Sequence, residues 1–445
     1  MQNFWKRGTY NDIVRLTIPN VISNITVPLI GMADVAIASR VGGDVSIGAV
    51  TVGTSIFNLV YWNCAFLRMG ASGITAQHFG AKRWGECANV LLRSVLIGLV
   101  ISALLFCFQD ALCSLGVRLM SGNSEGVING AREYVSYRFW AIPASVSLFA
   151  ITGWFIGMQD AKTPMIIAML SNVVNIGVSA WLAIYKEMGL GGIALGTVVA
   201  QYCGLLASVG IVVARHRGIF LGMTLKTVCN IGELLKLLRV NGDIFVRTLF
   251  IAAVFTSFTY YSAQFGEVAL AANALQMQLF TLFSYMIDGI AFSAESLIGK
   301  HVGSGDRVKL RTTIRDLYIC GGFTALLFTL AYVVFGNGIL ALFDPSTETM
   351  EYVTRHIVWA ELIPIVGFGA FVADGIMIGA SGSRAMRNTV AVAAVVYFVT
   401  FNVLQTALGC HALWLALVLF LLTRSVLLSR YVYVIKRQQS GANAR

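Results

Sequence analysis

The sequence predicts an all-α polytopic membrane protein, with twelve transmembrane helices arranged as two parallel repeats of six. Three observations carry this. Hydrophobic residues make up 57% of the chain and charged residues only 12%, about half the charged share of a soluble domain. Apolar runs of the ~20 residues needed to cross a bilayer recur along the whole length. Short motifs containing His, Gly and Pro return at a nearly fixed offset between the two halves.

The expected spans run at roughly 11–38, 46–70, 90–110, 134–157, 163–185 and 190–214, then 240–265, 269–298, 316–336, 352–380, 388–408 and 411–434. The polar, basic N-terminus MQNFWKRGTYNDIVRL lacks the compact apolar region and cleavage site of a signal peptide, so the first span is expected to be retained. The loop at 215–239, with Arg215, Arg217, Lys226, Lys236 and Arg239, is the strongest polar interruption. It divides the chain into an N-terminal lobe (1–214), a linker (215–239), a C-terminal lobe (240–436) and a tail (437–445).

Charge bias sets the expected orientation. One set of loops and ends holds Lys6, Arg7, Lys82, Arg83, Lys162, the linker cluster, Lys300, Arg307, Lys309, Arg311, Arg315, Arg384, Arg387, Lys436 and Arg437. The other holds only Arg40, Arg118, Arg132, Lys186 and Arg355, beside acids such as Asp344, Glu348 and Glu351. Basic loops stay cytoplasmic, so both termini are expected inside, in a bacterial cytoplasmic (inner) membrane. The net charge of +11 is then read as contact with anionic lipid headgroups, not as nucleic-acid binding.

The repeat is legible in three places. AQHFG at 76–80 matches GKHVG at 299–303, Gly153 and Gly157 match Gly375 and Gly379, and Pro143 matches Pro364, at offsets of 223, 222 and 221. Six spans per half is an even number, so both halves insert the same way round and are parallel repeats. Transporters built this way hold substrate between the halves and alternate access by rocking.

Several function classes lack their motifs. No P-loop, HExxH or GxSxG occurs, so neither ATP-driven transport nor a hydrolase is expected. Cys64, Cys87, Cys107, Cys113, Cys203, Cys229, Cys320 and Cys410 form no CxxC pair, and neither a disulfide framework nor a metal site is expected. The histidines His78, His216, His301, His356 and His411 are scattered and read as solvated or structural.

Ionisable groups inside spans are the functional candidates, because each costs about 2.5–3.5 kcal/mol at a helix centre. Asp34 comes first. It lies in the outer part of a first helix that also contains Pro19 and Pro28, and proline bends helices. Asn172, Asn175 and Ser179 share a face of helix five, and Thr197 lies near the outer end of helix six. Depth counting places Asn175, Ser179 and Thr197 level with Asp34. The C-terminal lobe carries Arg247, Asp288, Glu295, Asp374 and Arg424. Arg247, Glu295 and Asp374 lie at depths that allow ion pairing, and Asp288 is a second ionisable candidate with Arg424 as its partner. Arg138 and Glu361 complete the set. Tyr61, Phe66, Met277 and Phe280 are candidate substrate contacts, since exporters of varied amphiphiles use adaptable apolar surfaces.

Read together, these strings resemble the MATE (multidrug and toxic compound extrusion) transporters, and within them the DinF-like branch. The resemblance rests on IPNVISN with GMADVAIASRVGG, FLRMGASGITAQHFGAKR, GMQDAKTPM, VRTLF, ALAANALQMQ, YMIDGIAFSAESLIGKHVGSG and FVADGIMIGA, in order along nearly the whole chain. It implies two six-helix lobes forming a V, and cation-coupled antiport of drugs, toxic compounds or metabolites, with small amphiphilic or cationic substrates. It implies that Asp34 is the coupling acid, with Asn175 and Thr197 as polar partners. Many relatives carry a second acid in helix five, where this chain has Ser179. A single carboxylate favours the proton over sodium as coupling ion and leaves sodium as the alternative. A monomer is expected, with no cofactor. A lipid-linked sugar flippase is the competing reading, disfavoured by the scatter of Arg138, Arg247 and Arg424. An intramembrane enzyme or channel has no supporting motif.

Overall fold

The computed structural model describes residues 8–120, 124–221 and 225–441. They form α1 (Gly8–Cys64), α2 (Phe66–Gly80), α3 (Trp84–Cys107), α4 (Gln109–Met120), α5 (Glu125–Arg138), α6 (Ile142–Gly157), α7 (Lys162–Ala180), α8 (Gly189–His216) and α9 (Leu225–Val228). These are followed by α10 (Ile231–Gln264), α11 (Glu267–Ser304), α12 (Arg307–Ala341), α13 (Thr347–Gly379), α14 (Ser383–Leu408) and α15 (Cys410–Gly441). The described residues contain no strand.

Ten helical stretches among the described residues are long and apolar enough to cross a membrane. The first, Thr9–Gly80, covers two expected spans. The two were expected to be separated at 39–45. The break falls there, at Gly42 and Gly43, where two helices meet across a sharp kink. Gly43 has φ 58° and ψ −141°, a conformation that a Cβ would forbid. α11 is not among the ten; its 38 residues include Asp288, Glu295 and Lys300, and it coincides with the expected span 269–298. The expected span 134–157 lies within one continuous stretch, Glu125–Gly157, which tightens to a 3₁₀ turn at Phe139–Ala141, after which Pro143 sits in the first turn of α6. Proline fits there because its missing N–H has no partner to lose at a helix start.

The chain divides into two compact units, Ile22–Leu238 and Met1–Val21 with Arg239–Arg445. The chain passes from one unit to the other twice, inside α1 between Pro19 and Pro28 and at Leu238–Arg239, the C-terminal end of the expected 215–239 linker. Residues 8–21 pack with the C-terminal helices: Thr17 Oγ1 hydrogen-bonds Ser293 Oγ at 2.8 Å, and Gly289 of α11 lies against Val21. In the first unit Trp154 Nε1 donates to the Cys87 carbonyl at 2.8 Å and ties α6 to α3. In the second, Tyr332 Oη donates to the Leu279 carbonyl at 2.7 Å and ties α12 to α11.

Each unit contains the same close helix crossing. A Cβ on Gly153 of α6 would collide with the Arg68 carbonyl of α2, and a Cβ on Gly375 of α13 would collide with the Ala291 carbonyl of α11. One turn on, Gly157 meets the Ser72 carbonyl and Gly379 the Glu295 carbonyl. Backbone turns repeat as well. Positive φ occurs at Gly43 and Gly266, Lys82 and Gly305, Gln159 and Ser381, and Glu187 and Gly409, each pair 222 or 223 positions apart. The repeat seen in a few sequence letters is therefore also written into the backbone. Gly153→Leu and Gly375→Leu are expected to destabilise their units similarly, by the upper end of the ~1–3 kcal/mol typical of overpacking or more, because backbone and not side chain blocks the space. Thermal unfolding in detergent, against Gly177→Leu where nothing lies within 4 Å of the added carbon, checks this.

Candidate functional site

Asp34 lies on α1 about two turns before the Gly42–Gly43 kink and is 1% exposed. Neither carboxylate oxygen has a hydrogen-bond partner. The groups that act on it come from α5: the Tyr134 hydroxyl and the Arg138 guanidinium. These two residues are four apart on one helix and so share a face, which α5 buries together with Ala131 and Val135. The remaining neighbours hold Arg138 in place. Its Nη1 donates to Tyr134 Oη and, at 3.2 Å, to Thr54 Oγ1. Its guanidinium carbon lies 5.2 Å from the Phe57 ring centre and 5.3 Å from that of Tyr134, within cation–π range. Its Nε is buried without a partner. The result is a carboxyl and a guanidinium in one apolar pocket, with unused acceptors on the first and an unused donor on the second.

Asn172, Asn175, Ser179 and Thr197 have other partners. Asn175 Nδ2 donates to Thr197 Oγ1 at 2.9 Å, and Ser179 Oγ donates to the Ile193 carbonyl at 3.1 Å. Gly196 of α8 sits against the Ser179 backbone. These contacts close α7 on α8. Asn172 Nδ2 donates to the Thr26 carbonyl on α1 at 3.2 Å. No hydrogen bond joins any of the four to Asp34, and the Asn175 Oδ1 is a further buried acceptor without a partner.

In the other unit the charged residues converge on Asp374. Arg247 Nη2 and Arg424 Nη2 both reach its Oδ2, the latter at 2.7 Å. All three are at least 93% buried. Arg424 was matched with Asp288 in the sequence. Asp288 does act on its charge, but the direct ion pair is with Asp374. Asp374 Oδ1 has no partner.

The MatE family model matches residues 19–181 and 244–409, once in each half. The chain belongs to the MATE family. It is 35% identical to the DNA damage-inducible protein F of Escherichia coli (strain K12) over 93% of this chain and 90% of that one. It is 23% identical to the chloroplastic protein DETOXIFICATION 44 of Arabidopsis thaliana over 93% and 80%. A crystal structure of a MATE protein in a bent conformation superposes with a TM-score of 0.86 at 20% identity, covering 99% of this chain and 98% of that one. Relatives and structural neighbours alike are transporters, not enzymes.

Within this MATE chain, Tyr61 and Phe66 pack against the apolar core of the first unit, Tyr61 with its ring 5.7 Å from Phe57. Phe280 packs between Phe255 and Phe371 at 5.3 and 6.3 Å, and Met277 lies one turn before it, half-buried. Pro19 and Pro28 both lie inside α1, whose non-helical backbone is limited to the two glycines. Glu295 is 1% exposed, beside Gly379. His301, one residue beyond Lys300 at the end of α11, is buried, and burial pushes its imidazole down to about 4, so it is neutral at pH 7.

Sequence reading missed three groups. Tyr134 and Arg138 were not joined to Asp34, although their spacing of four and a cation inside a span were the available signal. Asp316 and Asp243, at span edges, are buried at 1% and 6% exposure. Asp243 accepts from Ser383 Oγ at 2.9 Å and Arg387 Nη1 at 2.6 Å, and Asp316 pairs with Tyr10.

Proposed function

We propose that this chain is a proton-coupled antiporter that exports small amphiphilic or cationic compounds across the bacterial cytoplasmic membrane, with both termini inside. The observation that carries the reading is Asp34: a buried carboxyl with two unpartnered oxygens, acted on by the guanidinium of Arg138. A buried carboxyl must be neutral or paired with a cation. Here it has access to both states. Ionised, it is balanced by Arg138. Protonated, it is neutral, and Arg138 rests on the Thr54 and Tyr134 hydroxyls and the flanking rings.

Arg138 also bears on the ion. A sodium ion keeps its charge when bound, and would sit beside a guanidinium with a single carboxylate to hold it. A proton neutralises the carboxylate covalently and needs no oxygen cage. The cycle follows: Asp34 takes a proton from outside, α1 shifts, substrate affinity falls, and the proton leaves to the cytoplasm after the units have rearranged. That α1 contributes to both units supports its role in passing a change at Asp34 to the rest of the chain.

The test is efflux from proteoliposomes with one gradient imposed at a time. A pH gradient alone is expected to drive accumulation of a dye such as ethidium, and a sodium gradient alone is not. Sodium-driven transport at clamped pH would overturn the choice of ion. Orientation is read separately, with single cysteines in a cysteine-free background: Lys186→Cys is expected to label from outside intact cells and Arg217→Cys only after permeabilisation.

A further inference from the structure

A groove runs along one face of the unit that contains α12, α13 and α15. Its larger section, about 830 Å³, is walled by Ile365, Val366 and Phe368 of α13 and by Leu422 and Val426 of α15. A second section, about 510 Å³, adjoins it through Tyr318, Ser429 and Tyr433, which line both. The floor is fixed by hydrogen bonds: Tyr318 Oη with Ser429 Oγ at 3.0 Å, and Ser425 Oγ to the Val366 carbonyl at 2.8 Å. Ile365, Leu422 and Val426 are 44%, 42% and 49% exposed, so the apolar wall is presented outward.

Charge is placed at one end only. Arg315 lines the second section and Arg430 the first. Both are exposed, and neither makes an ion pair among the described residues. The neighbouring Asp316 is buried at 1% and is engaged with Tyr10. Leu422 precedes Arg430 by eight residues on α15, which is about 12 Å along the helix. The apolar section thus extends from the arginines into the depth of the bilayer, at the membrane face where α12 starts and α15 ends.

We propose that this groove binds an anionic phospholipid of the cytoplasmic leaflet, its phosphate between Arg315 and Arg430 and an acyl chain along Val366, Leu422 and Val426. Two unpaired arginines select negative charge, and the apolar wall selects a chain. A free anion would use only the first, and a neutral lipid only the second. The site also has a route inward. Tyr318 in its floor feels the charge of Asp374, and Ser425 follows Arg424 directly. A lipid here sits one helix wall away from the buried Arg247–Asp374–Arg424 group.

The choice of leaflet rests on the proposed orientation; the binding does not. The test is native mass spectrometry of the full-length protein in detergent, titrated with phosphatidylglycerol or phosphatidylcholine of equal chain length. Two arginines near the phosphate are expected to give phosphatidylglycerol a roughly ten- to thirtyfold advantage. Arg315→Gln with Arg430→Gln is expected to remove that advantage, weakening phosphatidylglycerol much more than phosphatidylcholine, whose phosphate is already offset by its own choline. Val426→Trp, which fills the groove and keeps both charges, is expected to weaken both lipids. Glycerol phosphate, which has no chain, is expected not to compete. Equal binding of the two lipids to the unaltered protein, an unchanged preference in the double variant, or competition by glycerol phosphate would each overturn the proposal. An inverted labelling pattern for Lys186→Cys and Arg217→Cys would move the site to the other leaflet without touching the binding result.

Discussion

Asp34→Asn is expected to abolish pH-driven efflux completely while leaving the protein folded and monodisperse. The amide has the shape of the protonated acid and cannot lose its proton, so it holds the site permanently in the neutral state. In that state Arg138 keeps its hydrogen bonds to Thr54 and Tyr134 and its contacts with the Phe57 and Tyr134 rings but has no counter-charge, so some stability is expected to be lost with the fold retained. The retained fold separates this substitution from a merely destabilising one. Arg138→Gln is the complementary change: it removes the counter-charge, leaves a buried carboxyl that ionises only at a high energetic cost, and is expected to slow turnover most where the proton must be released. Both are read in proteoliposomes against an imposed pH gradient, with melting temperature measured on the same preparations. Full transport by Asp34→Asn would remove Asp34 from the coupling step. A folded but inactive Arg138→Gln together with an active Asp34→Asn would place the essential charge on Arg138 and not on Asp34.

Much of the architecture was legible because lipid leaves a coarse signature in sequence. Apolar runs of span length and basic loops both follow from the same solvent. The repeat was legible at Gly153 and Gly375 because a helix crossing that close admits no side chain, whatever its neighbours. The partners of Asp34 were less legible. Depth counting places residues along the membrane normal and says nothing about which helix faces which. It set Asn175, Ser179 and Thr197 level with Asp34, but helix rotation decides contact. In the structure those three close α7 on α8, and α5 supplies Arg138. Likewise Asp243 and Asp316 sit near the ends of apolar runs, where a charge is read as solvated. Only the packing of Arg387 and Tyr10 shows otherwise.

The largest stability effect is expected at Asp374. Its carboxylate accepts from two buried arginines at once, and removing it leaves two like charges facing each other in apolar surroundings. Breaking one buried pair in this way costs about 3–5 kcal/mol, and Asp374→Ala strands two cations, so it is expected to exceed Arg247→Ala and Arg424→Ala separately. Of those, Arg424→Ala leaves an intact Arg247–Asp374 pair, although Asp288 then loses the cation it acts on. Asp374→Leu with Arg247→Met and Arg424→Met replaces the whole group by apolar side chains of similar bulk and is expected to recover most of the folded yield, since a missing triad costs less than a broken one. Fluorescence-detected gel filtration after heating orders the four variants. If Asp374→Ala melted no lower than Arg424→Ala, the triad would be carrying its charge elsewhere. If the apolar triple variant folded and still exported dye under a pH gradient, the group would be a structural clamp only, and coupling would rest with the unit that holds Asp34.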